Sequence, residues 1–437
     1  MQKKLLTLAV AGALAAPGVA LAQAEVYGTI HMSLNKMKYD NGTSTLAGVG
    51  TGSKSAWDVA SHASNIGVRA RESLGGGLSA WAQVETNASM ERSNNVAHTS
   101  NIASRNSAVG MQGNFGNFFV GQWTTPWADL DALWGIGTVA TYGPVTSIIG
   151  RRETTGAAPN FNCSNVAGIG GVAGAGLGGV AVGTAACDSV EGAGSVGHAF
   201  WRRISNSVHY QSPVMGGAQV KVAYQANQDK ATAPGTVQGD ASMWSGSLSW
   251  SGMGGRARIG AAYDAHKDFT TIGQTDNGWR VTGGYNFGFA DVGLAYETMT
   301  YKTTTGDCDA TQWGVALAIP VGQGAIRASY SQADDIEGTF LGVNDVAAAV
   351  GAPTACGGST ALGAAAAADN GAKQWNIGYD YRFSKRTTAG FGYAMIKNDP
   401  GARFTWSGLS SAQNGQEVTP PAGSDVSIFF VSMIHRF

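Results

Sequence analysis

The stretch Lys373–Phe383, KQWNIGYDYRF, alternates along its whole length. Trp375, Ile377, Tyr379, Tyr381 and Phe383 fall on one face, and Asn376, Gly378, Asp380 and Arg382 on the other. A period of two is the mark of a β-strand with one apolar and one polar side, and helical spacing fits it poorly. The same alternation runs through Ala218–Tyr224, Arg256–Tyr263 and Asn277–Phe287. Such strands come in pairs across short turns rich in Gly or Pro: Ser73–Gly77, Gly113–Gly116, Pro213–Gly217, Gly252–Gly255 and Pro320–Gly324. The remaining connections are long and polar. Short turns alternating with long loops are the pattern of a transmembrane β-barrel. A soluble β-sandwich also alternates, but it does not explain an aromatic apolar face set against isolated charges on the other face along whole strands. Lipid outside and water inside explain both.

The reading is therefore all-β, a 16-stranded antiparallel transmembrane β-barrel. Its strands begin near Glu25, Ala63, Leu78, Ser104, Asn117, Ile204, Ala218, Ala241, Arg256, Asn277, Asp291, Ala310, Ala325, Lys373, Thr387 and Asp425. An even number brings both termini to the short-turn side. Two segments, near 124–203 and 336–372, are read as loop insertions; their cores, Glu153–Ala199 and Gly342–Ala372, are Gly/Ala-rich and Ala-rich. Loops of that length in a compact fold serve function or flexibility.

Composition agrees. Glycine supplies 64 of 437 residues, and 28 Lys+Arg nearly balance 29 Asp+Glu, so there is no basic excess to bind nucleic acid. Residues 1–22 have the form of a secretory signal: Lys3 and Lys4, the apolar run Leu5–Val19, then Ala20-Leu21-Ala22, with a second cleavage site ending at Ala24. Cleavage removes two lysines and no acid, taking the formal charge from −1 to −3. Residues 23–437 are then the barrel. No later stretch is apolar enough for a transmembrane helix. Four cysteines, Cys163, Cys187, Cys308 and Cys356, suit an oxidising compartment. They allow three pairings; neighbourhood in the chain favours Cys163 with Cys187 and Cys308 with Cys356.

Five strings carry a resemblance: AEVYGTI (Ala24–Ile30), GVRARESLGGGLSAWAQVE (Gly67–Glu85), NSVHYQSP (Asn206–Pro213) followed by Gly216 and Gly217, YDYRFSKRT (Tyr379–Thr387), and the terminal His435-Arg436-Phe437. In this order they resemble the general porins of Gram-negative bacteria, in the trimeric branch typical of Neisseria and Burkholderia relatives. The resemblance implies an outer-membrane homotrimer set in lipid and lipopolysaccharide, passing ions and small hydrophilic solutes without a cofactor. It also implies a third loop that folds into the lumen, here running from Thr124 to about Arg203. Two positions depart from the family: Gln122 stands where Arg is common, and His31 where Asp is common.

Placing the apolar residues toward lipid turns Arg69, Arg71, Lys221, Arg256, Arg258, Arg280, Arg327 and Arg382 inward, with Glu85, Glu297 and Asp380, because a charge facing hydrocarbon at the midplane costs about 2–4 kcal/mol. Asp129 and Asp131, early in the third loop, are expected to oppose the arginine wall across an aqueous slot. Eight cations against five acids predict weak anion preference. Gly174–Gly179 matches GxGxxG, but with no strand before it and no helix after it the match does not support a nucleotide site. The seven histidines form no close metal pair, and no GxSxG elbow is present. Three rivals remain: a substrate-selective channel with a binding site built by the enlarged third loop, a barrel enzyme acting on lipid, which needs Ser, His and an acid on one face, and a plugged structural or adhesive barrel.

Overall fold

The computed structural model describes residues 23–40, 53–88, 90, 102–135, 142, 148–149, 200–226, 242–267, 273–302, 306–341, 353–355, 369–400, 402, 404, 406 and 423–437. Residues 1–22, read above as a secretory signal, most of the third loop, and Cys163, Cys187 and Cys356 lie outside them. In chain order the strands are β1 (Gln23–Asp40), β2 (Lys54–Ser61), β3 (Asn65–Gly75), β4 (Leu78–Asn87), β5 (Ser107–Gly113), β6 (Gly116–Thr124), β7 (Arg203–Gln211), β8 (Ala218–Gln225), β9 (Ser242–Gly252) and β10 (Ala257–Lys267). They continue as β11 (Thr275–Asn286), β12 (Asp291–Lys302), β13 (Asp307–Val321), β14 (Gly324–Ala333), β15 (Glu337–Leu341), β16 (Pro353–Ala355), β17 (Ala372–Arg382), β18 (Thr387–Asn398) and β19 (Asp425–Arg436).

Every pairing is antiparallel; each stave of the wall pairs with the next, β14 passing over β15 and β16 to pair with β17, and β1 closes the sheet by pairing with β19 on one side and with β2 and β3 on the other. β2 and β3 make one stave. Their register against β1 differs by one residue, Met32 facing Ser61 but Thr29 facing Asn65, so one extra residue is accommodated at His62–Ser64. Ala63 sits there with φ 51°. This is a β-bulge, and it switches which parity faces inward: Trp57 and Val59 point out of β2, whereas Ile66 and Val68 point out of β3. The stave starts at Lys54, nine residues before the expected Ala63, because alternation read through the bulge loses phase. β15 and β16 lie beyond the wall as a short ladder on the long-loop end of β13, with Cys308 facing Gly338 and Thr339 facing Ala355. The segment read as an insertion thus holds two strands. Without them the barrel has sixteen staves, as expected.

Closure leaves no open edge, so the ladder satisfies the backbone of the wall within itself. The outward rows are apolar: Val26, Leu34, Val84, Val109, Leu248, Ile259, Leu294, Ile377 and Val431 are all exposed. Aromatic pairs flank them in two belts. Tyr263–Trp279, Trp313–Tyr330 and Trp375–Tyr393 lie toward the long loops, and Tyr285–Phe287 and Tyr381–Phe383 toward the short turns. Trp279 and Phe287 stand eight residues apart, about 27 Å along the strand. A tilt of 35–45° reduces that to roughly 20 Å, comparable to a barrel's apolar band of about 25 Å.

Candidate functional site

The interior is organised by the segment after β6. Thr125 caps the turn α1 (Pro126–Asp129) by accepting from the Ala128 N–H, and Pro126 supplies the preset φ of a first helical position. A second turn, α2 (Asp131–Trp134), follows. Both lie against the inner face of β8–β12. Small residues at inward positions make the seat: Ala262, Ala295 and Ala316 pack under Trp127, Leu130 and Trp134. At Gly293 a Cβ would stand 2.0 Å from the Trp134 carbonyl oxygen, so the loop backbone rests directly on β12. Further along the chain Tyr142 and Ile148 meet β17: the Ile148 N–H donates to Gln374, and Asn376 donates to the Tyr142 carbonyl at 2.7 Å. Tyr142 meets Phe430 and Trp406 in an apolar cluster inside the barrel. That burial, above every other cause, raises its phenol pKa.

The inward charges are almost all paired. Lys221 holds Asp129 at 2.6 Å. Arg280 donates to Asp131 and to the Trp127 carbonyl, with Glu297 3.3 Å from its Nε. Trp201 also donates to Asp131, at 2.6 Å. Arg280 and Glu297 are fully buried. Two corrections follow. Asp129 and Asp131 do not face an arginine wall across water; each is bound to a cation of the wall on which the loop lies. Arg280 and Glu297 point inward but lie beneath α1 and α2, away from water. The physical reason is common to both: a charge taken from water must be paired in place, so a docked loop draws its acids to the basic wall beneath it.

The others keep water contact. Arg69 pairs with Glu25 at 2.8 Å and lies over the Tyr27 ring. Arg71 donates to Ser79 Oγ at 2.9 Å and has no carboxylate partner among the described residues. Glu85 accepts from Arg105 at 2.6 Å and from the Tyr27 hydroxyl. Arg258 meets Asp291 at 2.8 Å and donates to the Leu133 carbonyl. Arg327 meets Asp380. Arg256 is a further correction: it precedes β10 in the turn, where strand parity no longer sets direction, and its guanidinium lies over the outward Tyr285 ring. A cavity of about 1050 Å³ opens at the short-turn end and reaches inward to Ala132 of α2; Arg258, Arg327, Arg382 and Asp380 line it.

The wall opposite the docked loop carries an inward aromatic group, Trp81, Phe119 and Trp123, with His209 stacked on Phe119 at 4.7 Å. Ser33 Oγ and His62 Nε2 lie 2.5 Å apart beside Asn35, buried under Tyr142.

The molecule is a closed sixteen-stave barrel with an apolar outer face, an ionised interior and an internal loop. The family comparison agrees: residues 7–401 match the Gram-negative porins. The chain belongs to the Gram-negative porins. This porin is an outer-membrane channel for passive diffusion, with its short turns on the periplasmic side and its long loops outside. The anion-selective porin from Comamonas acidovorans shares 19% identity, with 95% of this chain and 100% of that one covered and a TM-score of 0.62. OmpT of Vibrio cholerae gives 14% identity, 95% and 97% coverage and 0.54. OmpF of Salmonella typhi gives 13%, 95% and 98%, and 0.51. These likenesses establish the fold. No curated protein sequence matches this one.

Sequence reading missed the partner charges Glu25, Arg105 and Asp291. Glu25 and Asp291 share inward parity with Tyr27 and Glu297 and were within reach of the period-two rule. It also missed the loop's seat. The usable signal was small residues at inward positions of neighbouring strands: Gly260 and Ala262, Gly278, Gly293 and Ala295, Gly314 and Ala316.

Proposed function

We propose that this porin is a homotrimeric general diffusion channel, without enzymatic activity, that favours small anions weakly. The observation that carries this reading is the cavity of about 1050 Å³ lined by ionised side chains and reaching to the third loop. A water-filled space with charged walls admits hydrated solutes and sorts them by charge. The preference is weak because most cations of the strand wall are neutralised by a neighbouring acid; Arg71, Arg382 and, at the short-turn rim, Lys385 and Arg436 stay uncompensated among the described residues. The Comamonas relative, described as anion-selective, supports the sign. Ser33 and His62 do not make a lipid hydrolase in this reading, because they sit inside the barrel beneath Tyr142, away from the lipid face. The aromatic belts would meet lipid and lipopolysaccharide headgroups, where their polar edges are satisfied. Cys308, which is disulfide-bonded, is assigned Cys356 as its partner; the ladder β13–β15–β16 brings Ala355, the chain neighbour of Cys356, to the same end of the wall.

The test is the zero-current potential across a planar bilayer in a salt gradient. Wild type should show mild anion preference, strongest at low salt, where the Debye length exceeds about 10 Å. Replacing Arg69 and Arg71 by Ser should move the potential toward cations with the barrel still folded. Cation preference in wild type, or no shift in the variant, would overturn the assignment. Mass measurement in mild detergent should give three copies; a monodisperse monomer would refute the trimer.

A further inference from the structure

Charge along the lumen is unevenly compensated. At the level of the third loop every named base is held by acid, Lys221 by Asp129 and Arg280 by both Asp131 and Glu297. Toward the periplasm the balance fails. Arg382, Lys385 and Arg436 line the same cavity, all three are exposed, and none has a carboxylate partner among the described residues. Backbone hydrogen bonds hold them together at one rim. The Arg436 N–H donates to the Arg386 carbonyl at 2.9 Å, which ties the end of β19 to the β17–β18 turn carrying Lys385. The Arg382 N–H donates to the Gln323 carbonyl at 3.2 Å, which ties the end of β17 to the β13–β14 turn. The remaining ionised lining residues are the pairs Arg258–Asp291 and Arg327–Asp380. Three positive charges therefore face one water-filled space without compensation.

Resting on the reading of this chain as a channel, we propose that the periplasmic vestibule is a binding site for small multiply charged oxoanions, and that it lies below the third-loop constriction rather than at it. The chemistry is that of clustered cations around a polyanion. Arg382 offers a planar fork that matches a phosphate edge, as does Arg436, and Lys385 adds a mobile point charge. Low-dielectric walls focus the field of such a cluster and raise the local concentration of oppositely charged solutes. A monovalent anion meets only part of the cluster. An oxoanion with charge on several oxygens can engage all three side chains at once, which is why the site discriminates by valence. It also makes the pore asymmetric, because the cations stand at one mouth.

The experiment is single-channel recording of the full-length mature porin in a planar bilayer, with inorganic triphosphate added to one side at a time. Conductance should be blocked from the periplasmic side at concentrations that leave the extracellular side unaffected, and the block should weaken with added salt. The double variant Arg382→Ser/Lys385→Ser, both residues being exposed, should raise the half-blocking concentration by on the order of tenfold, the lower end of the concentration effects of charged clefts. Adding Arg436→Ser should raise it further. Lys302→Ser, at the other mouth, should change nothing. Equal block from both sides, or undiminished block in the double variant, would overturn the proposal. Absence of any conductance would instead refute the channel reading, and normal conductance without block would refute the vestibule site alone.

Discussion

Gly293 marks how closely the third loop approaches the wall. With the Trp134 carbonyl oxygen 2.0 Å from where a Cβ would stand, Gly293→Ala must displace either α2 or β12. A strand held on both edges by β11 and β13 does not yield easily, so α2 moves. Forcing a methyl into such a contact costs about 1–3 kcal/mol. The expected outcome is a noisier channel of altered unit conductance, with the barrel still migrating as a folded species on unheated gels. A variant with wild-type conductance would show that the loop does not rest on this glycine. The sequence made Gly293 inward by parity, but no residue count says what lies above an inward glycine. Empty water and a docked backbone look alike in the alternation. Arg256 shows the converse: parity placed it inside, and only the turn geometry around Met253–Arg256 set it over Tyr285.

At the scale of elements, the third loop is fixed by an ion-pair group whose members come from α2, β11 and β12. Removing Arg280 leaves Glu297 buried without its cation, and breaking a buried pair costs about 3–5 kcal/mol. Arg280→Met should therefore lower the unfolding temperature measured by heat-modifiable migration and add gating noise. Arg280→Met/Glu297→Gln should recover part of that stability, since the fully buried Glu297 is then no longer a stranded charge. If the double variant is no better than the single, the pair does not act as described. The cysteines belong to this scale too. Peptide mapping of the unreduced protein should find Cys308 joined to Cys356, and reduction should cost about 2–4 kcal/mol of loop stability. Cys308 joined to Cys163 or Cys187 would refute that pairing.

Elements were the most legible level in the sequence, because strands are set by a two-residue period that each segment carries alone. The bulge at His62–Ser64 escaped, since one inserted residue reads as a loop until β1 is seen pairing on both sides of it. The route of the third loop escaped for another reason. Its anchors, Ser245, Arg280, Gln374 and Asn376, lie far away in the chain, and no local pattern joins them to Trp127, Asp131, Ile148 or Tyr142.

For the whole molecule, sixteen staves, two aromatic belts and an ionised interior are consistent requirements of a single design: a wall apolar toward lipid around a space that holds water. The ion-paired cations at the loop and the uncompensated cations near the periplasm leave that space without free positive charge in the middle and positive at one end. The most direct measurement is the unit conductance of the purified protein in a planar lipid bilayer over a range of potassium chloride concentrations. A water-filled pore predicts uniform, stepwise insertions whose conductance rises in near proportion to the conductivity of the bulk salt. No steps at all, or a conductance that saturates while bulk conductivity keeps rising, would contradict it.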